Sequence, residues 1–168
     1  MPQVDSLANA PIVIDTVHAH IHYGRAFFAS DVRTVVDTGI SRTIIDVASG
    51  ASAHMDFEVK TEGRAISTLK EVGSYSNATS FATINRNLFS DIVPDVAILF
   101  GGSLEVTSAS LFRGLIGSGD KNNNVGGGVG GAFYELILKP GIYALDVQNL
   151  SGSTNYVAVE VDWYEPKK

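Results

Sequence analysis

The sequence predicts an all-β fold, a sandwich or barrel of about eight or more short strands, on three observations. Apolar residues recur with period two through most of the chain, turn residues interrupt the runs at short intervals, and almost no stretch carries a helical repeat. A length of 168 residues suits one domain, and such a chain buries roughly two-thirds of its extended surface without staples. It must do so without disulfides, because there is no cysteine; a thiolate metal site and a cysteine nucleophile are excluded on the same ground. Twelve basic against eighteen acidic residues leave a formal charge of −6, which is the wrong sign for a phosphate-backbone binder, so no nucleic-acid partner is expected.

Residues 1–12 read as an N-terminal arm, followed by a single domain over 13–168. Asp5 and the lack of a basic region before the short run Ile12, Val13, Ile14 argue against a signal peptide, and no segment is long enough to span a membrane. His18, His20 and His22 alternate with Val17, Ala19, Ile21 and Tyr23, so as a strand they place three imidazoles on one face. The outer two would then be roughly 13 Å apart, too far to share one ion. Asp15, Asp31 or His54 would have to complete a metal site, and nothing in the sequence brings them near. The three histidines therefore read as a polar face at a subunit contact or in solvent, and no metal ligand is expected.

Short strands are expected at 43–48 (TIIDVA), 54–60 (HMDFEVK), 79–85 and 96–100. In 54–60, His54, Asp56 and Glu58 face away from Met55, Phe57 and Val59. Residues 64–72 (RAISTLKEV) suit a helix by apolar spacing, but Thr68 and the flanking Gly63 and Gly73 favour a strand. Residues 117–131 (GSGDKNNNVGGGVGG) cannot bury apolar surface and read as a long glycine-rich loop. Residues 132–139 (AFYELILK) are apolar on both faces, as in a central strand or one covered by a neighbouring subunit; Phe133 and Tyr134 are its candidate interface anchors. Two half-buried strands close the chain. Tyr143, Leu145 and Val147 line one face of the first, and Val157, Val159, Val161 and Trp163 line the second, with a hairpin expected through 149–152.

Chemistry finds no anchor in these residues. Gly126, Gly128 and Gly131 match G-x-G-x-x-G, but a strand follows where a nucleotide site needs a helix N-terminus. There is no Gly-x-Ser-x-Gly elbow and no HExxH helix, and the pair Asp56 and Glu58 reads as solvated charge. The sequons at Asn77 and Asn149 read as ordinary loop residues. The aromatics Phe27, Phe28, Tyr75, Phe81, Tyr134 and Tyr164 could form a sugar-stacking platform, though core or interface packing is the plainer use. The expectation is a protein without catalytic residues and without a cofactor.

The order of segments resembles a known family. A leading H-x-H-x-H-x-G-x-x-F-F (18–28), a central I-N-R-N (84–87), a long glycine-rich loop, E-L-I-L-K-P-G-x-Y (135–143) and a closing V-x-V-x-W-Y-E (159–165) are similar to the capsid decoration, or cement, proteins of tailed bacteriophages. The resemblance implies a β-sandwich of jelly-roll type that forms homotrimers on the outer surface of the virion, bound to the major capsid protein. An outward, acidic position avoids repulsion from packaged DNA, and the cysteine-free chain suits assembly in a reducing bacterial cytoplasm. The rival from another class is a carbohydrate-binding module or receptor-binding fibre protein of a phage, which uses the same sandwich.

Overall fold

The structure is a computed structural model that describes residues 16–116 and 136–166. The described residues form one short helix, α1 (Thr16–His22), and nine strands: β1 (Ala26–Val35), β2 (Ile40–Val47), β3 (Ala53–Thr61), β4 (Ala65–Ser80), β5 (Ile84–Asn85), β6 (Val96–Ile116), β7 (Leu136–Leu138), β8 (Gly141–Asn149) and β9 (Asn155–Tyr164). The fold is all-β, as the alternation predicts.

Pairing is nested about the middle of the chain. β4 pairs with β6, β3 with β7, β2 with β8 and β1 with β9, every pair antiparallel. Cross-links between these pairs give two layers. One is an open sheet of order β5-β1-β9-β3-β7; the other joins β2, β6, β4 and β8 into a closed four-stranded ring. The inward faces of both layers meet in a single core that includes Phe27, Ile45, Met55, Leu69, Val147 and Trp163. Trp163 packs on Phe27 at 5.5 Å between ring centroids.

The ring closes because its longest ribbon bends. Between Leu69 and Ser74 the β4–β6 register shifts three times, and each extra residue adds local twist. The far end of the ribbon then returns so that 96–100 of β6 pair with 43–47 of β2. Gly102 is needed at this bend: its φ is +80°, and a Cβ there would lie 2.7 Å from the Ser76 carbonyl oxygen.

The ribbon also explains why β2 and β8 are buried on both faces. Their core faces carry Ile45, Val47, Leu145 and Val147, while Ile44 and Ala144 on the other face are equally buried. On this second face Asp146 accepts two hydrogen bonds from Arg42, at 2.7 and 2.9 Å, and one from Lys70 at 2.7 Å. Arg42 also donates to the Gly102 carbonyl at 2.9 Å, and Tyr75 donates to Asp46 at 3.0 Å, so polar side chains tie the returning ribbon to β2 and β8. Burial alone would raise the Asp146 carboxyl, but its bonds to Arg42 and Lys70 outweigh that and hold it below the usual carboxylate range.

Several expectations are corrected. The segment 18–23 is not a strand; it lies in α1 and the turn that ends it. Strands β8 and β9 form no hairpin, since β8 pairs with β2 and β4 while β9 pairs with β1 and β3. The link between them crosses from one layer to the other around Asn149, which is fully buried. Its amide donates to the carbonyls of Val35, Val36 and Ser153 and its oxygen accepts from the Ser151 backbone, so it is the buried end of β8 and not the ordinary loop residue expected. Asn77 likewise lies within β4, with φ +56°. The stretch 132–139 is no central strand in its described part: β7 has three residues, pairs only with β3 and leaves Ile137 exposed. Phe133, Tyr134, the arm at 1–12 and the loop at 117–131 lie outside the described residues.

Candidate interaction surface

Among the described residues the most exposed large apolar side chains lie just beyond the short strand β5. Its two residues pair with Phe27 and Phe28 at the edge of the open sheet, and the chain then turns through 86–94 before entering β6. Three small polar side chains hold this loop. Asn85 donates to the carbonyls of Gly24, at 2.9 Å, and Ile92, at 3.1 Å, and accepts from the Asn87 backbone at 2.9 Å. Asn87 donates to the His22 carbonyl and accepts from the Phe89 backbone, while Ser90 accepts from Ile92. Such side-chain turns replace the ladder bonds that the backbone lacks here.

With Asn85, Asn87 and Ser90 turned inward, the loop presents Leu88, Phe89 and Val93 to water beside the exposed charges of Arg86 and Asp91. Phe89 is 100% exposed, Leu88 81% and Val93 80%; Tyr23 beside them is 68% exposed. Isolated exposed apolar residues are ordinary; several on one hydrogen-bonded loop make it the candidate for a contact surface. Burying Leu88, Phe89 and Val93 on a partner is worth about 1.5–3 kcal/mol each. The loop seats against the end of α1, where Gly24 has φ +67° and a Cβ would lie 2.0 Å from the Ser90 hydroxyl. Only glycine ends the helix and permits that approach.

The helix rearranges the histidines. On a strand 18, 20 and 22 share one side, whereas on a helix positions four apart meet and the one between turns away. His18 and His22 accordingly lie with Nε2 atoms 2.9 Å apart on the exposed side. His20 instead stacks on Tyr164, at 4.5 Å between centroids, and Tyr164 stacks on His54 at 4.6 Å while hydrogen-bonding its Nδ1. Of the sequence-derived candidates, His22 borders the apolar loop, since Asn87 donates to its carbonyl, while His20 faces Tyr164.

The outer face of the open sheet carries the acidic groups. Register places Asp56 opposite Asp162 and Glu58 opposite Glu160. Like charges so placed repel, and two cations offset this: Lys60 bridges Glu58 and Glu160 at 3.1 and 3.0 Å, and Arg86 meets Asp162 at 3.2 Å. Asp162 is raised chiefly by burial, with Arg86 opposing and Asp56, Glu160 and Glu58 adding to the rise. Among the described residues no group of three or more ligating side chains converges on one point. An apolar cavity of about 180 Å³ between β3 and the β4–β6 ribbon is lined by Met55, Phe57, Leu69 and Phe112, with Asp56 and Ser67 its polar groups.

The aromatics considered for a platform are dispersed. Phe27 is fully buried, Phe81 packs against the core, Tyr75 bonds Asp46, and Tyr164 is sandwiched between two imidazoles; Tyr134 lies outside the described residues. Leu88, Phe89 and Val93 were not legible as a site from hydropathy, because a short apolar run normally signals burial. The signal was the interleaved Asn85, Asn87 and Ser90. No helix among the described residues is long and apolar enough to cross a membrane. Comparison with family models, curated proteins and solved structures finds no match for this chain.

Proposed function

We propose that this chain is a virion structural protein that decorates the outer surface of a tailed-bacteriophage capsid and stabilises it by bridging capsomers, as a homotrimer and without turning over a substrate. The observation that carries the reading is the loop 86–94, whose hydrogen bonds hold Leu88, Phe89 and Val93 ready in solvent. A preformed apolar contact loses little entropy on binding, which suits a protein that must add to a finished shell. The major capsid protein is the proposed partner of this loop.

Two further features support the reading. The nested pairing of β1 with β9, β2 with β8, β3 with β7 and β4 with β6 is compatible with the jelly-roll sandwich that the resemblance to decoration proteins implies, although β5 adds to one edge and the second layer closes into a ring. Such a fold serves capsid proteins and lectins alike, so it supports the architecture and leaves the function to the surface. The acidic strip of Asp56, Glu58, Glu160 and Asp162 suits a sheet face turned away from nucleic acid. In a trimer, three copies of a modest contact act together, since later contacts become intramolecular once the first has formed.

The test is to compare phage heads carrying the protein with heads stripped of it, under heating and dilution into low salt. The reading expects stripped heads to rupture earlier and added protein to restore them. Equal resistance in both preparations would remove the cementing role, and a position confined to tail or fibre would favour the carbohydrate-binding alternative.

A further inference from the structure

The imidazoles of His18 and His22 are four residues apart on α1, and their Nε2 atoms approach to 2.9 Å. The ring centroids are 4.7 Å apart. Two imidazole nitrogens bound to one cation at about 2.05 Å each, with a right angle between them, are separated by about 2.9 Å; a tetrahedral angle would need roughly 3.3 Å. The observed spacing therefore matches adjacent positions of an octahedral or tetragonal metal. Histidines at i and i+4 on a helix are also the spacing that lets two rings share one ion.

The surroundings fix the pair in place. Stacking of His20 on Tyr164 sets the rotation of the helix, and the hydrogen bond from Asn87 to the His22 carbonyl holds its end. Backbone bonds from Tyr23 to Ala19, Gly24 to Ile21 and Arg25 to His20 complete the last turn. Both rings stand on the solvent side, so water or a carboxylate from a partner can fill the remaining positions.

The geometry points to a two-histidine site, His18 with His22, for one divalent transition cation of cis-octahedral or tetragonal preference, such as Ni²⁺ or Cu²⁺. The cation takes the place of the hydrogen bond between the two Nε2 atoms, each ring then carrying its proton on Nδ1, and bridges the turn of helix they span. This is independent of the capsid reading, because it needs only the local helix.

The experiment is calorimetric titration of the full chain with NiCl₂ alone and with ZnCl₂ alone, on the wild type and on His18→Ala, His22→Ala and His54→Ala. Circular dichroism on each variant establishes that the sandwich is intact. The expected result is one Ni²⁺ per chain, bound more tightly than Zn²⁺, with affinity at least tenfold weaker in His18→Ala and in His22→Ala and unchanged in His54→Ala. Imidazole resonances of His18 and His22 should shift or broaden together in the wild type. No saturable Ni²⁺ binding below millimolar concentration would overturn the proposal, as would full affinity in either single variant.

Discussion

Replacing Asp146 by asparagine tests whether the charged cluster under the β4–β6 ribbon holds the ring closed. The carboxylate accepts three charge-assisted hydrogen bonds, two from Arg42 and one from Lys70, and its side chain is only 9% exposed. Asparagine keeps the shape but turns an amide donor toward a guanidinium and an ammonium. Breaking a fully buried ion pair costs about 3–5 kcal/mol. Arg42 and Lys70 remain partly hydrated, at 20% and 18% exposure, so about 2–4 kcal/mol is expected here. For a domain of this size that lowers the melting temperature by about 5–15 °C at pH 7. The pH dependence has a definite sign. Because Asp146 is held below its ordinary value when folded, its stabilisation is present above the unfolded carboxylate range and is lost as pH falls through the folded value. The difference between wild type and Asp146→Asn in thermal melts followed by circular dichroism should therefore shrink toward pH 3. Replacing all three charges together, Arg42→Met, Lys70→Met and Asp146→Leu, should recover most of the loss, since Ile44 and Ala144 already make this face apolar. A melting temperature for Asp146→Asn within about 1 °C of wild type at pH 7 would mean that the cluster does not hold the ring closed.

Other outcomes follow from single contacts. Asn149→Ala removes the donor to three carbonyls and the acceptor for the Ser151 backbone, and should cost about 2–4 kcal/mol in chemical denaturation, with a large rise in amide exchange across 150–154. Glu165 accepts from the Asp95 and Val96 backbone and from the Trp163 indole, so Glu165→Gln sets a donor against the Asp95 amide and should cost about 2 kcal/mol at pH 7. Burial raises the Glu165 carboxyl despite those bonds; the native state thus holds its proton more tightly, and this residue's contribution weakens as pH rises through its folded value. Light scattering after size exclusion should give three times 17.8 kDa, and a stable monomer at micromolar concentration would contradict the trimer.

How much of this was legible in the sequence depends on the range of the interaction that decides each element. The alternation Val157, Val159, Val161, Trp163 records burial on one face, and β9 buries all four. Residues 64–72 were settled by local composition, and β4 runs through them, although nothing local foretold that it continues through Gly73 to Ser80. The β8–β9 link is not legible locally, because turn residues such as Asn149 and Gly152 suit a hairpin and a crossing between layers equally well. Which occurs depends on whether strand edges are already taken by distant partners. The histidines failed for a different reason: a seven-residue helix is too short to show a repeat, and period two in polarity imitates a strand. The candidate surface was half legible. The I-N-R-N segment could be singled out, but that its asparagines turn inward while Leu88 and Phe89 turn outward is a property of the folded loop.

Co-sedimentation with stripped heads measures whether loop 86–94 binds the shell, using wild type beside the double variant Leu88→Asp, Phe89→Asp. Both side chains lie in solvent, so the variant should keep the wild-type circular dichroism spectrum and melting temperature. The wild type should pellet with the heads at a saturating ratio, and the variant should stay in the supernatant with affinity at least tenfold weaker. Wild-type occupancy by a folded variant would contradict the assignment of this loop to the shell, and failure of the wild type itself to pellet would contradict the decoration function.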